Sequence, residues 1–169
     1  MALVKLIEKG YGQLELNFAA FRRYGAIEAK CRMHADIPYL ENGMLLAVDR
    51  VNNVVCYPTG AEGEVIGLNY TAEHMYDERT QALKDFKLDN GTFCPRIGYI
   101  GVADKFTTNT VVYEEGTELG DYKYGKPCTY EGFQGYIELT NERAGAVVEV
   151  LEVTDMPDGQ PAIKFGGLR

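Results

Sequence analysis

The sequence has no tryptophan, only two histidines and no long apolar run. Its longest uninterrupted apolar stretches cover a few residues, such as 44–48, whereas a membrane-spanning helix needs about 20 apolar residues. The sequence therefore predicts no segment that crosses a bilayer. The first nine residues have a short apolar core that Glu8 interrupts, which does not fit a secretory signal, so we expect synthesis in a cytoplasm.

Cysteine is also scarce, and its spacing excludes the usual metal motifs. Cys31, Cys56, Cys94 and Cys128 lie 25, 38 and 34 residues apart, without a CxxC pair and without a histidine at metal-ligand spacing. We interpret the four as free thiols that pack as small hydrophobic residues. We expect no metal site and no cofactor.

Acidic residues outnumber basic ones, 25 to 17, so the net charge is −8 and a general nucleic-acid partner is not expected. The charge is unevenly distributed along the 169 residues. Residues 1–33 carry six basic and three acidic side chains, and the remainder carries 11 basic and 22 acidic ones. The uneven distribution is either a chance fluctuation or a basic arm on an acidic body, which would favour contact with acidic surfaces.

Residues 1–25 lack a clean helical period, because Gly10 and Gly12 break the first apolar cluster and residues 14–18 then alternate. We interpret this part as an extended N-terminal arm that lies on a surface and orders against a partner. Its aromatic and basic side chains are the candidate contact residues. They are Lys5, Lys9, Tyr11, Phe18, Phe21, Arg22, Arg23 and Tyr24.

Residues 26–169 are predicted to form a β-rich body. Residues 26–33 alternate between apolar and polar, and further short strand candidates are separated by turn signals. The clearest hairpin joins residues 146–154 to 161–165 through Pro157-Asp158-Gly159. Residues 72–86 break the pattern and are predicted to be a short helical or irregular insertion. The fold class is therefore mainly β, with a small barrel or a sandwich as the two alternatives.

Two kinds of motif could carry chemistry. Residues 120–126 match GxxxxGK, but Pro127 replaces the Ser or Thr that would hold magnesium and cannot continue a phosphate-binding helix. His34 precedes Asp36 by two residues and His74 precedes Asp77 by three, so either pair could form an oriented imidazole or be a chance neighbour. We expect no catalytic residues and predict that the protein is not an enzyme.

The layout resembles the head decoration proteins, also called auxiliary or cement proteins, of tailed bacteriophages. Three parts of the chain carry the resemblance: the arm over residues 1–12, the pair of segments 41–49 and 64–68, and residues 106–111 with the closing turn 157–160. The second of these looks like the β-tulip core of that family. The insertion at residues 72–86 departs from the family pattern.

The resemblance implies a non-enzymatic virion protein that binds the outside of an icosahedral shell in many copies. Its implied partners are the major capsid protein and neighbouring copies of itself, with a trimer favoured, and its implied location is the capsid exterior after synthesis in the cytoplasm of a bacterial host. Two alternatives stay open. One is a tail or head–tail connector component, and the other is a small β-barrel enzyme or ligand-binding module that uses His34 or His74.

Overall fold

The computed structural model describes residues 2–21, 25–71 and 82–168. The protein is mainly β, which confirms the predicted fold class. The described strands are β1 (Leu3–Lys5), β2 (Leu14–Phe18), β3 (Ile27–Glu28), β4 (Arg32–Met33), β5 (Tyr39–Leu40), β6 (Leu45–Asp49), β7 (Val54–Cys56), β8 (Ile66–Asn69), β9 (Leu88–Asp89), β10 (Ile97–Gly98), β11 (Lys105–Thr108), β12 (Val111–Glu114), β13 (Tyr124–Pro127), β14 (Ile137–Thr140), β15 (Val148–Asp155) and β16 (Pro161–Gly167). Leu83–Asp85 and Leu119–Asp121 form single 3₁₀ turns.

Eight strands form one sheet in the order β1-β12-β14-β13-β15-β16-β11-β2. Only Asn109 and Thr110 join β11 to β12, although five strand intervals separate these strands in the sheet. A flat sheet would place them about 24 Å apart, and the three peptide units from Thr108 to Val111 reach only about 10 Å. The sheet must therefore curl until its two edges approach each other.

A six-stranded sheet, in the order β3-β10-β8-β6-β7-β4, curls for the same reason, because residues 29–31 alone join its two edge strands. The body is sandwich-like, and the described strands form no closed barrel. Residues 26–33, predicted to be one strand, are two short strands on opposite edges of this sheet. The prediction of a single strand was wrong because alternation along the sequence does not reveal where a chain leaves one partner for another.

The central strand β6 explains the apolar run at residues 44–48. Leu45 packs into one hydrophobic core with Phe106 and Phe165 of the eight-stranded sheet. Leu46 and Val48 pack into a second core on the other face. A strand that is buried on both faces is expected to lack alternation, as this one does.

The predicted hairpin through Pro157-Asp158-Gly159 is confirmed. The turn between β15 and β16 contains Gly159 at φ +85°, where a glycine costs little. The turn between β6 and β7 places Asn53 at φ +54°, in the left-handed region that asparagine tolerates. Of the predicted insertion at residues 72–86, residues 72–81 lie outside the described residues, and the 3₁₀ turn at Leu83–Asp85 belongs to its described part.

The N-terminal arm is extended, and two stretches of it, β1 and β2, are strands of the eight-stranded sheet. Strand β1 pairs with β12 at one edge of the eight-stranded sheet, and β2 pairs with β11 at the other edge. Leu6 and Phe21 are core residues, exposed by only 4% and 2%. The arm runs along the line where the curled sheet brings its two edges together, and we call this line the seam.

Candidate functional site

The structure distributes the predicted contact residues of the arm over three places. Lys5, Lys9 and Tyr11 line a small cleft beside the seam. Phe18 lies on the outer face of β2 with half of its surface exposed. Phe21 is buried, and its ring comes within 2.5 Å of the position that a Cβ atom on Gly98 would occupy. The predicted contact residues Arg22, Arg23 and Tyr24 lie outside the described residues.

Side chains of the body hold the backbone of the arm in the seam. The bonds are Glu8 N–H (3.0 Å) and Lys9 N–H (2.9 Å) to Gln160 Oε1, Gly12 N–H to Glu41 Oε1 (3.2 Å), Gln13 N–H to Asn109 Oδ1 (2.8 Å), Thr108 Oγ1–H to the Gln13 carbonyl (2.6 Å) and Phe21 N–H to Asp104 Oδ1 (3.2 Å). All five body residues are buried. The body therefore recognises the arm largely through its main chain.

The corner at residues 107–110 is central to this arrangement. Thr108, Asn109 and Thr110 are fully buried, although threonine and asparagine are mostly exposed in proteins. Thr110 Oγ1–H donates to the carbonyl of Asn42, which ties the corner to the loop before β6. Gly43 is required beside it, at φ +91°, because any side chain there would collide with Thr108. These hydroxyls serve the fold.

Beside the seam, Lys5, Tyr136 and Glu41 form a chain of hydrogen bonds that we call the relay. Tyr136 O–H donates to Glu41 Oε2, and Lys5 Nζ donates to the Tyr136 hydroxyl at 3.0 Å. Tyr136 and Glu41 are exposed by only 4% and 3%. Burial, reinforced by the Glu41 charge, raises the pKa of Tyr136 well above its usual range, so the phenol keeps its proton.

Aromatic rings surround the relay. The rings of Tyr11 and Tyr39 meet edge to face, 5.6 Å apart, and Lys87 Nζ lies 4.8 Å from the centre of the Tyr39 ring. The hydrogen bond to Asp89 raises the pKa of Lys87, which keeps this cation charged beside the rings. Lys5, Glu41 and Tyr136 line two clefts of about 160 and 120 Å³.

Sequence reasoning missed Glu41, Tyr39 and Tyr136 as site residues. Glu41 and Tyr136 are 95 positions apart, and Lys5 and Tyr136 are 131 apart, so no local spacing connects them. The only sequence signal was a carboxylate in a glycine turn among apolar residues, which is also common at the surface. Only the curl of the sheet brings these residues together.

A second surface, the outer patch, consists of Phe18, Lys105, Gly166 and Leu151. Phe18 lies directly opposite Lys105, and Lys105 lies directly opposite Gly166 on the next strand. The Leu151 side chain packs over Gly166 on this same face. Phe18 and Leu151 are 50% and 43% exposed. Two large apolar side chains are therefore exposed on the same face of the sheet, with a lysine between them.

The histidine pair has little shelter from solvent. His34 Nδ1 lies 3.2 Å from Asp36 Oδ2, but the two side chains are 48% and 82% exposed. His74 lies outside the described residues. All four cysteines are free, and burial raises the pKa of Cys128 to about 11, which makes it a poor nucleophile.

Among the described residues, His, Cys, Asp and Glu side chains form no group of three placed to bind a metal ion, and no helix is long and apolar enough to cross a membrane. Comparisons with protein-family models, curated proteins and solved structures gave no match. The functional proposal therefore rests on the surfaces described above.

Proposed function

We propose that the protein is a phage capsid decoration protein, a non-enzymatic virion component that binds the outside of an icosahedral shell in many copies. The outer patch is the observation that carries this proposal. Exposed aromatic and aliphatic side chains on one face of a sheet, around a basic residue, are typical of protein interfaces. Phe18 and Leu151 are the expected anchors, and the shell protein is the expected partner.

Charge supports the same partner. Lys105 lies in the middle of the outer patch, and the arm adds further basic side chains to a chain that is otherwise strongly acidic. Acidic groups on the shell would pair with them, which favours orientation and speed of docking more than affinity. The arm contains β1 and β2 and is held in the seam by the body, so we assign it the role of presenting Phe18. A tail or head–tail connector component is the second candidate function. The number of copies per particle distinguishes it from a decoration protein.

The proposal predicts that the double variant Phe18→Ser, Leu151→Ser loses binding to shells from a phage that lacks this gene. Removing two interface anchors should weaken binding by about 500- to 1,000-fold, because each anchor contributes about 2 kcal/mol. Co-sedimentation with shells over a range of protein concentrations measures this affinity.

Val51→Ser is the matched control, because Val51 is an apolar side chain that is 90% exposed at a distant turn. It should bind like the unmodified protein. Equal thermal stability of the variants would show that folding is unaffected. If the double variant still saturates the shells at the same concentration, the outer patch is not the docking surface.

A further inference from the structure

Two of the four cysteines, Cys31 and Cys94, lie beside the same pair of strands. Strands β3 and β10 are antiparallel, with Ile97 opposite Glu28. The same register, continued to the residue three before Ile97 and the residue three after Glu28, places Cys94 opposite Cys31. Opposed residues on antiparallel strands have Cα atoms about 4.5–5.5 Å apart. That separation lies within the range of about 4.4–6.8 Å that a disulfide requires.

The hydrogen bonds of this ladder indicate what kind of pair the two cysteines form. Tyr99 N–H donates to the Ala26 carbonyl, so Tyr99 and Ala26 occupy a hydrogen-bonded position. Hydrogen-bonded and non-hydrogen-bonded pairs alternate along an antiparallel ladder. Cys94 and Cys31 therefore fall at a non-hydrogen-bonded position, where opposed side chains are closest.

A direct contact shows that the two segments stay together beyond the ladder. Pro95 has no N–H to donate toward Lys30, which lies opposite it in this register, so the regular pairing ends there. The Cys94 thiol approaches the same carbonyl instead, with its Sγ 3.9 Å from the Lys30 oxygen. That oxygen lies about 2.8 Å from the Cα atom of Cys31 across a trans peptide, so Cys94 Sγ is within about 7 Å of that Cα atom.

The two thiols differ in their access to solvent. Cys94 is exposed, whereas Cys31 is fully buried and packs in the same core as Ile97. Burial raises the pKa of Cys31, and the nearby charges of Glu28 and Cys94 raise it further. Cys94 is therefore the thiol that a dissolved oxidant reaches first, and Cys31 is the second to react.

We propose that Cys31 and Cys94 form an internal disulfide when the protein meets a disulfide oxidant such as oxidised glutathione. The Cys94 thiolate attacks the oxidant, which forms a mixed disulfide and releases one glutathione thiolate. The Cys31 thiolate then attacks Cys94 Sγ, which forms the internal S–S bond and releases the second glutathione thiolate. The two protein thiols lose two electrons to glutathione, and their two protons pass to the glutathione thiolates.

A shared metal ion is the other chemistry that two neighbouring thiols can support. Structural zinc sites use four ligands, and catalytic ones use three with an open position. Within residues 2–21, 25–71 and 82–168, no group of three His, Cys, Asp or Glu side chains is placed to hold a metal ion. The pair therefore fits a disulfide and not a metal site.

The bond would fasten the crossing between the two edges of the six-stranded sheet. Residues 29–31 join its edge strands β3 and β4, and the bond would tie this crossing to the chain that enters β10. It would also close a loop over residues 32–93, which stabilises the fold mainly by restricting the unfolded chain. The chemistry does not depend on the proposed shell-binding function. Under that function, the pair stays reduced during synthesis in the cytoplasm and closes after the particle leaves the cell.

The test is incubation of the folded full chain with oxidised glutathione, followed by mass spectrometry of the intact protein and peptide mapping without reduction. We expect two of the four thiols to disappear, with the loss of two hydrogen atoms in mass, no glutathione adduct and a link between residues 31 and 94. The midpoint of thermal unfolding should rise by about 5–10 °C. Dithiothreitol should reverse both changes.

Three variants separate the roles of the thiols. Cys94→Ala should form no link and keep the unfolding midpoint of the reduced protein, and Cys31→Ala should hold glutathione on Cys94. The matched control is Cys56→Ala, because Cys56 is a half-buried free thiol that lies opposite Ala47 on β6. It should form the link as the unmodified protein does.

The inference is overturned if all four thiols of the unmodified protein stay free, if Cys94 retains glutathione, or if the link joins another pair of cysteines. An unchanged unfolding midpoint in the linked protein would overturn its stabilising role. Each of these results leaves the shell-binding experiment unaffected.

Discussion

Deletion of residues 2–21 is expected to prevent the remaining chain from folding stably. The deletion removes both edge strands of the eight-stranded sheet, β1 and β2. It also removes Leu6 and Phe21 from the core, at a cost of about 1.5–3 kcal/mol for each side chain.

The hydrogen bonds in the seam make the loss of stability larger. Without the arm, buried side chains of Glu41, Asp104, Asn109 and Gln160 lose their main-chain partners. Each buried polar group left unpaired costs about 1–3 kcal/mol. The combined loss is comparable with the whole stability of a typical domain, about 5–15 kcal/mol.

Thermal unfolding followed by circular dichroism measures this effect on the truncated and full-length chains. Lys9→Ala is the control within the same segment, because its side chain is exposed and only its main chain is held. It should unfold within a few degrees of the unmodified protein. A truncated chain that unfolds cooperatively at the same temperature as the full chain would contradict the seam as a structural element.

Replacement of Glu41 by alanine is expected to cost about 2–6 kcal/mol, because two buried donors lose their acceptor and each costs about 1–3 kcal/mol when left unpaired. The Glu41 carboxylate accepts hydrogen bonds from Gly12 N–H and from the Tyr136 hydroxyl, and the residue is only 3% exposed. Alanine leaves both donors buried and unpaired. It also opens a space beside the Lys5 ammonium group.

Urea denaturation measures the free energy of unfolding for Glu41→Ala, Glu41→Gln, Tyr136→Phe and the double variant Glu41→Ala, Tyr136→Phe. Glu41→Gln keeps an acceptor and should cost less than the alanine variant. Glu41 and Tyr136 share a hydrogen bond that either single substitution already breaks. The losses of unfolding free energy in the two single variants should therefore add up to more than the loss in the double variant. Additive costs, or a loss below about 1 kcal/mol for Glu41→Ala, would contradict the relay.

Local signals were enough to predict the fold class. The turn at Pro157-Asp158-Gly159 and the alternation around it predict the hairpin of β15 and β16, since both depend on neighbours in the chain. The turn and the alternation depend only on residues within about ten positions of each other, so the local sequence pattern reveals them.

The site could not be predicted in the same way. Phe18 and Phe21 are similar aromatic residues three positions apart, yet one is half exposed and the other is buried against Gly98. The difference arises from where the arm leaves β2 and enters the core. The relay depends on residues far apart in the chain, which only the curl of the sheets brings together.

The central claim is that the protein coats a shell in many copies, and its copy number tests this most directly. The measurement is quantitative mass spectrometry of purified phage particles, with the ratio of this chain to the major shell protein as the readout. The account predicts a ratio near one copy per shell subunit, or one per few subunits. Only a few copies per particle would contradict decoration and indicate a tail or connector component, and complete absence would contradict a virion role.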